Sequence, residues 1–164
     1  MNDGTRGRLG GKVLRLAAGG LLVAAVAGLG WWQFGSTAAS AMDTTDPRVL
    51  ALGEDVYRRD CASCHGAQLE GQPDWQRRLP NGRLPAPPHD ASGHTWHHPS
   101  AVLFGIVKHG VQAYAPAGYE SDMPAYAGRL SDAEIWAVLA WIRSTWPDEV
   151  RRRHDEIEQR NRRG

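Results

Sequence analysis

Cysteine is almost missing from this chain of 164 residues; there are two, Cys61 and Cys64. That excludes a framework of several disulfides and a zinc site built from four cysteines. No stretch alternates apolar and polar residues in the way a half-buried sheet demands. An excess of one charge is also lacking. The 19 Lys and Arg nearly balance the 18 Asp and Glu, for a formal net charge of +1, and no face is built to bind nucleic acid. The balance conceals an uneven distribution. Residues 1–41 carry four basic residues and one acid, residues 42–147 nine and twelve, and residues 148–164 six and five.

Long hydrophobic runs are lacking except at the N-terminus. Arg6, Arg8, Lys12 and Arg15 precede an uncharged run over 16–34, close to the ~20 residues that span a hydrocarbon core. Trp31 and Trp32 at its end suit a membrane interface. We read a basic cytoplasmic N-terminus over 1–15, a transmembrane anchor over 16–34 and a small-residue tether over 35–45. The alternative is a cleaved signal, since Ala39-Ser40-Ala41 has the small-x-small form of a cleavage site. On the first reading the protein is a single-pass protein of a bacterial inner membrane with its domain in the periplasm. On the second it is soluble there after cleavage following Ala41.

The two cysteines fall in Cys61-Ala62-Ser63-Cys64-His65. Two thiols at this spacing, followed at once by an imidazole, are placed to bond the vinyl groups of a haem and to ligate its iron. Structural zinc would need a second pair of ligands that the chain does not have. A thioredoxin-like pair would follow a strand, and the flanks show none. A disulfide across two residues would leave His65 without a role.

The rest reads as helices around that motif. Asp46-Pro47 is an N-cap followed by a first-turn proline, and Val49, Gly53, Val56 and Tyr57 then share one face. Glycine in mid-helix costs ~1 kcal/mol against alanine, so Gly53 predicts a close helix crossing. The expected partner starts at the capping box of Ser131 and Glu134, carries Ile135, Val138, Leu139 and Ile142, and stops at Trp146-Pro147. Trp136 and Trp141 on that helix are expected to press on Gly53 or on the haem edge. A shorter helix is expected from Ala101, Leu103, Phe104, Ile106 and Val107, closed by Gly110.

An iron held by His65 needs a sixth ligand. Met1 and Met42 lie in the N-terminal tail and the tether, which leaves Met123, presented from Ser121-Asp122-Met123-Pro124-Ala125-Tyr126. Pro124 biases the residue before it toward an extended conformation, which suits a side chain offered inward from a loop. The plainer alternative is a methionine that fills a core gap.

These motifs occur in an order that resembles a class I c-type cytochrome. The resemblance covers residues 46–147: a helix with Gly53 and Tyr57, Cys-x-x-Cys-His-Gly, Ala86-Pro87-Pro88, a middle helix, Met-Pro-x-Tyr 58 positions after His65, and an aromatic-rich helix. It implies an all-α cytochrome c fold whose N- and C-terminal helices cross around one covalently bound haem c, here preceded by a transmembrane helix. It implies thioethers at Cys61 and Cys64, His65 as proximal ligand and Met123 as distal ligand. It also implies the Pro87 carbonyl as acceptor for the His65 imidazole, a place Pro85 or Pro88 could take instead. Tyr126 belongs to the shell around the site. With both axial positions filled, single-electron exchange is the expected activity and catalysis is not. Its partners would be a quinol-oxidising complex or dehydrogenase and a terminal oxidase or reductase.

Two segments depart from a minimal cytochrome. Residues 75–98 form a long loop with His94, His97 and His98 close together. One reading is a second metal, copper above all, or a competitor for the Met123 position, as in a sensor or a peroxidase-like enzyme. The reading we prefer is a solvated loop along the haem, with Trp96 or an arginine near its propionates and His98 capping the next helix. His89 and His109 are taken as ordinary surface or packing residues. The charged tail over 148–164 is expected to be a solvated, partly frayed helix extension rather than a docking arm. A cytochrome subunit permanently held in a larger oxidoreductase would use the same site.

Overall fold

Helix α1, Pro47–Val56, begins where the sequence places it: the Asp46 carboxylate accepts from the Arg48 N–H at 2.9 Å, and Pro47 occupies the first turn. This computed structural model describes residues 45–163. The expected anchor over 16–34 lies outside the described residues. Among those described, no helix is long and apolar enough to cross a membrane, and there is no strand.

At Tyr57–Cys61 the chain widens into a single π turn, then tightens into the short helix α2, Ala62–His65. A π turn inserts a residue into the helical repeat, re-phasing the side chains that follow. It lies here at the join between Tyr57, which is fully buried, and Cys61.

Helix α3 is Ser100–His109, closed by Gly110. Helix α4, Asp132–Ser144, has the full capping box: Ser131 Oγ accepts from the Glu134 N–H, and the Glu134 carboxylate accepts from the Ser131 N–H at 2.9 Å. Asp132 and Glu134 in its first turn complement the helix dipole. Its buried face, Ile135, Val138, Leu139 and Ile142, joins Val56, Tyr57, Leu103 and Tyr126 in one core.

Gly53 decides how closely α1 and α4 cross. A Cβ at that position would lie 2.1 Å from the Ala137 carbonyl oxygen and 2.7 Å from Trp141 Cβ. Trp141 thus presses on Gly53 as expected and also tilts against Tyr57, with ring centroids 4.9 Å apart. Trp136 faces the other way and stacks on Phe104 of α3 at 4.5 Å.

The C-terminal tail differs from expectation. Residues Asp148–Asn161 form helix α5, packed against the Thr95–His97 turn and the start of α3. His154 on it is 1 % exposed, edge-on to Trp146 at 5.3 Å, with Nε2 3.2 Å from the His98 carbonyl oxygen. Glu158 accepts from both the Ser100 N–H and the Ser100 hydroxyl, so a carboxylate from α5 caps α3. Arg143 pairs with Asp155 at 2.7 Å. The inward side carries Val150, Arg151, His154, Asp155, Ile157 and Glu158, and four of these are polar. That is why a hydrophobic pattern did not reveal it.

Burial lowers the His154 pKa, opposed by the nearby Glu158 carboxylate, with Arg143 adding to the depression and Asp155 opposing it. The folded value lies below the unfolded one, so the unfolded chain takes up the proton more readily. The contribution to stability is present above the ordinary histidine pKa of about 6.5 and is lost as pH falls through it toward the folded value. Denaturant unfolding at several pH values is therefore expected to show a steeper loss from pH 7 to pH 5 in the natural protein than in His154→Gln. That variant keeps a donor for the His98 carbonyl and does not titrate; equal slopes would remove His154 from the account.

Candidate haem site

His65 is the last residue of α2, 7 % exposed, and its Nδ1 lies 2.8 Å from the Pro87 carbonyl oxygen. A carbonyl only accepts, so Nδ1 carries the proton and the Nε2 lone pair is left for a metal. Burial lowers the His65 pKa, the Pro87 bond opposing it, and the ring is neutral at neutral pH.

Gly71 makes that reach possible. A Cβ there would lie 2.4 Å from Pro88 N and 2.7 Å from Pro87 C, so the chain after the motif lies directly on the Pro87-Pro88 backbone. Gly71 also has φ +69°, where side chains are strained. Its N–H donates to the His65 carbonyl at 2.8 Å, and the next N–H, from Gln72, donates to the Ala86 carbonyl at 2.9 Å. The segment thus ties the end of α2 to the proline run.

Tyr57 secures the same end from the core. Its hydroxyl donates to the Gly66 carbonyl at 2.8 Å and lies 3.3 Å from that of His65. Burial raises its pKa far above the ordinary value, so it stays a donor. A buried tyrosine eight residues before the histidine was visible in the sequence, but not its bond.

Cys61 and Cys64 are both free thiols. Cys64 is exposed; Cys61 is half-buried, and burial, with Asp60 beside it, pushes its pKa up to about 12. Met123 is half-buried in an irregular segment, its N–H donating to Ser121 Oγ at 3.1 Å. Three residues on, the Tyr126 hydroxyl donates to the Asp60 carbonyl at 2.7 Å, which fastens the Met123 segment to the residue before Cys61. The Tyr126 N–H donates to the Val107 carbonyl of α3 at 3.0 Å. Upstream, Arg83 donates to Glu120 at 3.3 Å and pairs with Asp122, while Arg78 lies over the Tyr119 ring at 5.7 Å.

The three clustered histidines turn to different partners. His94 stacks on Trp75 at 5.2 Å and meets His98 edge-on at 5.4 Å, while His97 stacks on Trp96 at 3.6 Å. Among the described residues, no three His, Cys, Asp or Glu side chains are arranged to hold a metal ion. His98 does not cap α3; Pro99 is at the N-cap and Glu158 takes the first N–H. The Trp96 indole N–H lies 3.4 Å from the Ala91 carbonyl oxygen, and Arg153 of α5 lies over its ring at 6.0 Å.

Of the two expectations for His89, surface or packing, the structure shows packing, and at a particular place: its ring lies flat on His65, centroids 4.0 Å apart and planes 22° from parallel. Nothing in the sequence signals this, because the two histidines meet only through the fold.

A helical fold that crosses two helices at a glycine and holds a Cys-x-x-Cys-His turn against a proline carbonyl has the features of a c-type cytochrome. The cytochrome c family matches residues 50–146, and the chain belongs to that family. No curated protein and no solved structure matches it. It is thus a haem-binding electron-transfer protein with one covalently bound haem c. The donor set fits that group: two free thiols with two residues between them and a neutral imidazole with Nε2 open. Helix α5 lies beyond the matched residues.

Proposed function

We propose that this chain is a single-electron carrier whose haem iron is held by His65 and Met123. The observation that carries the reading is the Pro87 bond to Nδ1, which fixes the tautomer that leaves Nε2 free for iron. Cys61 and Cys64 hold the group through thioethers, and the haem, when bound, supplies a reversible one-electron couple. The Met123 sulfur would be the second protein ligand to the iron, which would leave no open position for substrate or oxygen. Thioether ligation and apolar surroundings both favour the reduced state. Pro87 and Tyr57 keep the His65 side in place, and Tyr126 ties the Met123 segment to the haem-attachment turn.

The electrons pass between a respiratory donor complex or dehydrogenase and a terminal oxidase or reductase on the periplasmic side. The support for that location is the sequence over 16–34 and the need of c-type haem for an exported site. Met123→Ala is expected to abolish the sulfur-to-iron absorption at the red end of the oxidised spectrum. It should also lower the potential by a sizeable part of the roughly 0.8 V that axial ligands span. An unchanged absorption band would sink the Met123 assignment. The same holoprotein, purified from membranes, should have a mass that includes residues 1–41; a chain starting at Met42 would remove the anchor.

A further inference from the structure

The Pro87 carbonyl fixes the direction of the His65 Nδ1–H, yet a single hydrogen bond tolerates considerable tilt of the ring about it. The terminal torsion of a histidine is itself broad. A flat neighbour on the face of the ring removes that freedom. His89 is that neighbour, at 4.0 Å.

His89 is itself held from several directions. Its Nδ1 lies 2.8 Å from Thr95 Oγ1, its N–H donates to the Leu69 carbonyl at 2.8 Å, and its carbonyl accepts from the Trp146 indole N–H at 2.8 Å. Tyr57 meets its ring edge-on at 6.2 Å. Two of these supports lead to α5. Trp146 is edge-on to His154, and the turn carrying Thr95 ends at His98, whose carbonyl lies 3.2 Å from His154 Nε2.

We propose that His89 is a positioning residue that sets the plane of the His65 imidazole, and that helix α5, through His154, braces it on the proximal side of the haem. The inference rests on the reading that His65 ligates the iron. In a bound haem the plane of the His65 imidazole, together with the orientation of the Met123 sulfur lone pair, would set which of the two iron d orbitals of π symmetry lies higher, and so how unpaired spin spreads over the ring in the oxidised state. His89 and α5 thus act on electronic structure without touching the iron. The helix is joined to the site by contacts and not by sequence, since the family match ends before it.

The test compares oxidised holoproteins of the natural chain, His89→Leu, His89→Phe and His154→Leu. The readouts are the proton NMR shifts of the haem methyl groups, the largest g value in electron paramagnetic resonance, and Tm. His89→Leu removes the flat face and is expected to reorder the methyl shifts and move the g value. His89→Phe restores a flat face without polar atoms and should return both toward the natural pattern, whatever it does to Tm. His154→Leu should move both readouts in the same sense by a smaller amount, and it carries the comparison if His89→Leu does not accumulate. Loss of Tm with unchanged methyl order and g value in His89→Leu, or in His154→Leu where that variant stands in, would overturn the proposal and leave His89 a packing residue. A natural protein without the low-spin signature of histidine ligation would instead remove the parent reading of His65, and this inference with it.

Discussion

Gly53→Ala is expected to destabilise the domain by roughly 1–3 kcal/mol, a sizeable part of the ~5–15 kcal/mol that holds a domain of this size together. On an isolated helix the same change is favourable by ~1 kcal/mol, so propensity and packing make opposite predictions. Packing wins because of what the methyl group meets. The Ala137 carbonyl oxygen, 2.1 Å away, belongs to the backbone of α4 and cannot swing aside as a side-chain tip would. The helices must separate, and the contacts of Trp141 and Val56 beside the glycine loosen with them. Urea unfolding of the oxidised holoprotein measures the change. A neutral or stabilising result would mean that α1 and α4 do not cross this closely.

The other large effect concerns the thiols. The Cys61→Ser, Cys64→Ser double variant is expected to carry no covalent haem, against one per chain in the natural protein, read as intact mass after acid–acetone extraction. Either single variant keeps one thioether. The proteins should be compared as matured in the producing cell, where the haem is attached. Covalent haem in the double variant would sink the assignment of both cysteines.

Local signals in the sequence carry far in this chain. The Asp46-Pro47 start, the Ser131 and Glu134 box and the Gly110 stop are short-range chemistry, and each helix begins or ends there in the structure. Gly53 is legible for a related reason: a residue poor for a helix must be kept for its neighbour. His89 and α5 are illegible because what defines them is long-range. The His89 ring meets His65 across 24 positions, and its carbonyl is held by an indole 57 positions later. The inward stripe of α5 hides a histidine and a glutamate among arginines, and no hydrophobic pattern marks them.

The Glu158 cap on Ser100 also sets an order in time. The first turn of α3 is synthesised 58 positions before the carboxylate that satisfies it. Until that carboxylate exists, the start of α3 has water as its only substitute partner. The pairing of α1 with α4 is likewise remote, since Gly53 and Ala137 lie 84 positions apart. Contacts of such separation close late and slowly, because the loop between them must be ordered first. The crossing of α1 with α4 therefore waits for the chain to reach Ala137, and the Glu158 cap on α3 for α5 after it.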